Sequence, residues 1–263
     1  MKFKTLMSTA AMSGMLFSGA ALATPFTIDA SGFRAPIVGT DGITGLISQL
    51  GLNWSATSTF TDLDGNGVDI GDSVLDTGFG SINSYLDSNA QSLNNLQTNE
   101  GLNSFYNIGF SYSNLIGTVA FNDGAGGILA NYTSGTISIF LNGDPLDELI
   151  RLNVTGSTGS VGNLLIFAQV AYAADDTFFF NGVTDWTDYP LLTIDARVDF
   201  NLDPKVPGQI GDDTQGRDRY QRTATLDGSA AFDVNEVPEP GIIALLGLGL
   251  IGVGAARRYK KSA

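Results

Sequence analysis

The densest group of hard oxygen ligands in the chain is TDLDGNGVDIGDS, Thr61 to Ser73. Asp62, Asp64 and Asn66 alternate along it, and Gly67 follows where a sharp reversal is needed. That is the opening half of a calcium loop, in which carboxylate and amide oxygens take turns around a hard cation. Val68 is placed to add a backbone carbonyl, but Ser73 stands where the full twelve-residue loop has a bidentate Glu. Asp69 and Asp72 lie off that register, so a shortened loop would close with one of them. The same residues also read as an Asx-rich turn that needs no ion. Calcium is the one cofactor the sequence suggests, with Asp62, Asp64, Asn66, Val68, Asp69 and Asp72 as its candidate ligands.

Other chemistries are restricted by what the chain lacks. It has no histidine and no cysteine, which removes imidazole bases, Ser-His-Asp triads, thiolate metal sites and disulfides. Carboxylates alone can run glycoside hydrolysis. Asp144, Asp147 and Glu148, and the pair Asp175–Asp176, are the densest acidic groups for it, yet both sit beside turn signals where acids are solvated. No catalytic residue is assigned. Trp186 and Tyr189, close after Phe178–Phe180 and flanked by acids, suggest a platform for stacking on sugar rings; the ordinary alternative is that these rings are core.

The elements that would carry these residues read as strands. Glycine is abundant, at 33 residues, and short apolar runs alternate with Asn, Asp, Ser and Thr. Strand patterns cover Ser104–Asn122, Ile128–Tyr132, Thr136–Leu141, Leu149–Val154, Leu164–Tyr172, Leu191–Phe200 and Arg222–Val234. Ser134-Gly135 and Asp227-Gly228 read as hairpin turns, TGSTGSVGN as a flexible loop, and 203–221 as a long surface loop. Helical signals are thin: Ile43, Leu46, Ile47 and Leu50 have helical spacing among glycines, and 82–98 could form a short helix or a loop. The expected class is all-β, a sandwich or jelly-roll-like body.

Both ends read as processing segments. Lys2 and Lys4, an apolar stretch from Leu6 to Leu22, and the small-x-small triplet ending Ala21-Leu22-Ala23 form a secretory signal, with cleavage expected after Ala23. The expected division is therefore 1–23 signal peptide, 24–236 extracellular body and 237–263 carboxyl-terminal segment. Between Thr24 and Pro238 seven basic residues face 26 acidic ones, a net charge near −19, which repels nucleic acid and attracts cations.

The tail VPEPGIIALLGLGLIGVGAARRYKK holds 16 uncharged residues from Gly241 to Ala256, about 24 Å as a helix against a bilayer core of about 30 Å. Arg257, Arg258, Lys260 and Lys261 then supply positive-inside charge for a single membrane helix with the body outside. A plain anchor and a sorting signal share that pattern. The order Val237-Pro238-Glu239-Pro240, short apolar helix, Arg257-Arg258 resembles the PEP-CTERM sorting signal of exopolysaccharide-producing Gram-negative bacteria. The resemblance implies signal peptidase and exosortase as processing partners, transient inner-membrane insertion, and a final place on the cell surface or in the extracellular matrix. TSGTISIF from Thr133, LNVTGSTGSVGNLLI from Leu152, LLTIDARVDFNLDP from Leu191 and RTATLDGSAAFDV from Arg222 are also similar to the flocculation-associated branch of these proteins. That similarity implies a non-enzymatic role with polysaccharide or other matrix proteins. The alternatives are a carbohydrate-binding module and an exopolysaccharide-active hydrolase.

Overall fold

Alternation of inward apolar and outward polar residues produces long strands, and the computed structural model is built almost wholly of them. It describes residues 23–32, 41–142, 144, 146–160, 163–188, 193–201 and 205–235. The strands are β1 (Phe26–Ile28), β2 (Gln49–Thr61), β3 (Ser73–Leu86), β4 (Ile108–Asn122), β5 (Ile128–Ser134), β6 (Thr136–Leu141), β7 (Glu148–Ser160), β8 (Asn163–Ala173), β9 (Phe178–Phe180), β10 (Thr184–Asp185), β11 (Thr193–Asn201), β12 (Gly208–Asp212) and β13 (Asp218–Asn235). One short helical turn, Leu96–Asn99, lies between β3 and β4. Among the described residues no helix is long and apolar enough to cross a membrane. The all-β body expected from composition is what forms, in two sheets.

The larger sheet is antiparallel and ordered β11–β8–β7–β6–β4–β3–β2–β13–β12, with β5 also on β4. β13 additionally pairs with β11, so the path returns to its start and the sheet closes as a meandering barrel. β2 shows the facing clearly: Leu50, Leu52, Trp54, Ala56 and Phe60 are buried, while Asn53, Ser55, Thr57 and Thr59 lie on the other face. On this strand apolar residues face inside and polar ones outside, whereas β3 and β4 also present Leu75, Phe79, Ile116 and Phe121 on the exposed face. The small sheet, β1–β9–β10, meets one end of the barrel, where Phe26, Ile28 and Phe178 lie against Leu50, Ile82 and Phe232.

Three local expectations are corrected by pairing. Ser134-Gly135 is no hairpin turn: β5 and β6 both pair with β4, in succession along it, so Gly135 only kinks a strand that continues. Asp227-Gly228 lies inside β13, held by Asn53 and Leu52 on one side and by Asn201 and Phe200 on the other. The glycine-rich 155–160 belongs to β7, paired with β8 up to Ser160–Asn163. Turn-forming residues remain extended because neighbours on the ladder take their backbone groups. Two strands, β2 and β3, form where residue spacing is helical or carries no clear signal, and β12 with the start of β13 forms within the expected surface loop.

Glycines in β3 let side chains lie flat against the barrel wall. A Cβ on Gly78 would stand 2.5 Å from the Tyr112 ring, and one on Gly80 would stand 2.4 Å from the Asn53 carbonyl and 2.3 Å from Trp54 Cβ. The Gly80 neighbours include backbone, which cannot swing aside. Gly80→Ala is therefore expected to lower stability by about 1–3 kcal/mol. Gly208→Ala, with nothing within 4 Å, is expected to stay within about 0.5 kcal/mol of the native protein in the same denaturant melts.

Candidate functional site

The acidic loop between β2 and β3 folds around its own carboxylates. Asp62 Oδ1 accepts from the Asp64 and Gly65 N–H groups at 3.1 and 2.7 Å, and Oδ2 accepts from Gly67 N–H at 2.7 Å. Asp72 closes the loop from the other side, accepting from Leu63 N–H and Asp69 N–H, both at 2.8 Å. Carboxylate oxygens of Asp62, Asp64 and Asp72 come within 4.8 Å of one another. The Asn66 amide donates to Asp64 at 3.0 Å, while the Val68 carbonyl accepts from the Asn122 amide at 2.5 Å. Asp69 serves through its backbone N–H. Hydrogen bonding, led by that from Gly67, holds the Asp62 carboxyl below the usual carboxylate range; burial pushes Asp72 up, with Asp62 and Asp69 adding repulsion. The fold thus brings together three of the six candidate ligands, in a loop whose backbone donors already satisfy two of them.

The sugar platform expected at Trp186 is not available to a ligand. Trp186 is 3% exposed, with its ring stacked on Phe180 at 4.9 Å and packed on Phe26, Phe178 and Phe232. It is the centre of the apolar cluster between the small sheet and β13, because a large ring fills the barrel end better than smaller side chains can. Tyr189 lies outside the described residues. The acidic groups considered for hydrolysis are surface features: Glu148 pairs with Arg151, and Asp144 accepts from Leu146 N–H in a turn at 3.0 Å.

A polar site that the sequence reading did not single out lies inside the barrel. The ladder sets Arg222 of β13 opposite Ser58 of β2, and Ser58 opposite Asp76 of β3, as one cross-strand row on the inner face. The next row is Ala224, Ala56 and Gly78, ending on Tyr112 of β4. Large neighbours above and below these small residues leave a cavity of about 30 Å³, bordered by Trp54, Ser58, Asp76, Tyr112, Tyr132 and Arg222. The Tyr132 hydroxyl donates to Asp76 Oδ2. Asp76 Oδ1 is buried and has no hydrogen-bond partner among the described residues. Burial pushes the Asp76 carboxyl up to about 6, with the Ser58 hydroxyl and Arg222 opposing that rise. Arg222 sits over the Phe60 ring at 5.4 Å and donates to the Gly126 carbonyl at 3.2 Å, tying the β4–β5 turn over this end of the barrel. The available signal was phase: Asp76 follows Val74, and Arg222 precedes Ala224 and Leu226, on the buried alternation of their strands.

Beyond the barrel, the carboxyl-terminal stretch carries the decisive sequence feature. Residues 236–258 match the PEP-CTERM protein-sorting motif. The match supports export, transient passage through the membrane and processing by an exosortase. Val237, Pro238, Glu239, Pro240, Arg257 and Arg258 fall within it and, like Ala21 of the expected signal cleavage site, lie outside the described residues. Ala23 is described and half-buried. No curated protein and no solved structure shows significant similarity to the chain.

Two measurements follow from the geometry. Asp76 has its folded-state pKa near 6, above the ordinary 3.8, so between those values the folded state binds more protons than the unfolded one. Its contribution to stability is therefore full below about pH 4 and lost as pH rises through 6. Asp76→Asn, neutral throughout, is expected to gain about 3 kcal/mol on the native protein between pH 4 and 7. Parallel stability curves for the two would contradict this. In the acidic loop, Asp62→Ala leaves three backbone N–H donors without their carboxylate acceptor and is expected to lower the melting temperature by several degrees without calcium.

Proposed function

We propose that this is a non-enzymatic surface or matrix protein that supports flocculation or biofilm by associating with exopolysaccharide or other matrix proteins. The observation that carries the reading is the PEP-CTERM motif at 236–258, which follows an all-β body in the sequence. The outer face of β2 and β13 supports it with hydroxyls in register, Ser55 beside Thr225 and Thr57 beside Thr223; the last pair are 3.2 Å apart. Such a face meets the hydroxyls of a hydrated polymer without exposing a large apolar surface. Within the barrel, Asp76 faces Tyr132, Ser58 and Arg222 rather than the second carboxylate that glycoside hydrolysis uses, which favours the non-enzymatic reading. With Trp186 in the core, the carbohydrate-module alternative loses one of the two rings on which it rested.

The acidic body adds a second contribution, divalent cations bridging its carboxylates to anionic polymer. The Asp62–Asp64–Asp72 loop is the proposed place for a bound calcium, since extracellular calcium reaches about the millimolar range at which weak oxygen sites fill. Purified full-length chain is expected to melt higher with calcium than with magnesium, and Asp62→Ala is expected to abolish the increment. A melting temperature indifferent to calcium would sink the loop as a cation site.

In a producing strain, deleting the chain is expected to reduce cell aggregation, and reintroducing it is expected to restore it. A version with Pro238, Glu239 and Pro240 replaced by alanine is expected to stay unprocessed and to fail in that rescue. Aggregation unchanged by the deletion would overturn the proposed role while leaving the sorting motif untouched.

A further inference from the structure

We propose that the barrel interior is a binding site for a small neutral alcohol or polyol, which enters with a terminal CH₂OH group and donates a hydrogen bond to Asp76 Oδ1. The cavity of about 30 Å³ lies where the row Arg222–Ser58–Asp76 meets the row Ala224–Ala56–Gly78. A water-sized group needs about 10–15 Å³ measured in this way, so the space takes about two adjoining heavy atoms, one carbon and one oxygen.

The chemistry of the wall selects the head group. Tyr132 occupies Asp76 Oδ2, leaving Oδ1 as a buried acceptor that lacks a donor. Arg222, across Ser58 in the same row, balances the carboxylate. An added cation would meet Arg222 and an added anion would meet Asp76, whereas a hydroxyl adds no charge to a poorly hydrated space. Leu115, Ala130 and Leu164 on the cavity lining suit the carbon. Arg222 also holds the β4–β5 turn through Gly126.

The site is tested by tryptophan fluorescence of the full-length chain titrated with ethanediol and with glycerol. Trp54 borders the cavity and reports on its occupant; Trp186 does not border it and supplies a constant background. The expected result is a saturable change that Ala56→Leu abolishes by filling the space and Asp76→Ala weakens at least tenfold. Ala224→Val fills the same space with a smaller side chain, should Ala56→Leu fail to fold. No saturable change with either compound would overturn the site, and so would a linear drift of the kind that polyol exclusion from the surface produces. Saturation retained in both space-filling variants would place binding elsewhere and overturn it equally. A response to methylammonium or acetate as strong as that to glycerol would overturn the neutral head group.

Discussion

β13 holds hydrogen bonds to strands from opposite ends of the body, and the barrel depends on it. Its residues from Arg219 to Ala230 pair with β2, and those from Asp227 to Asn235 pair with β11. In the short overlap the strand is bonded on both sides, which turns an open meander into a closed one. Closure removes the exposed edges that an eight-strand open sheet would present to other chains. It also fixes the barrel radius, and with it the volume that inward side chains must fill.

That fixed volume explains the interior. Large inward residues such as Trp54, Phe110 and Phe60 take up most of it, though Phe110 also borders a second cavity of about 30 Å³ among apolar side chains. Where β13, β2 and β3 contribute Ala224, Ala56 and Gly78 side by side, the walls cannot move in, because each strand is bonded to two others. The polar row above this gap is held by Tyr132 on Asp76 Oδ2, by Arg222 on Ser58 and by the opposite charges of Asp76 and Arg222, with Asp76 Oδ1 left without a partner among the described residues. The other end is managed differently: the rings of Phe26, Phe178, Phe180, Trp186 and Phe232 close it together with Ile28, Leu50 and Ile82.

Much of the fold was legible because strand alternation is local. The runs at 104–122, 136–141 and 164–172 announced themselves by period, and strands form in each. Failures came where local preference met a non-local partner. Gly135, Gly156 and Gly228 favour turns in isolation, yet a neighbouring strand claims the backbone at or beside each. β3 was obscured because Gly78 and Gly80 stand at inward positions that a strand reading expects to be apolar; their missing side chains are replaced by Tyr112 and Trp54 from adjacent strands. The acidic loop was legible as a group that reverses the chain. Asp76 and Arg222, 146 positions apart in the sequence, carried no motif linking them.

Route and material are written in the linear chain: the PEP-CTERM motif at 236–258, an all-β body, an acidic charge, and no histidine or cysteine chemistry. Those properties are sums or short contiguous patterns, so no partner is needed to read them. Tertiary structure alone decided which residues share a site. It buried Trp186, drew Asp62, Asp64 and Asp72 together, and set Arg222, Ser58 and Asp76 on one row. The physical reason is register, since hydrogen bonding between distant strands chooses which inward side chains stand side by side and where the small ones leave room.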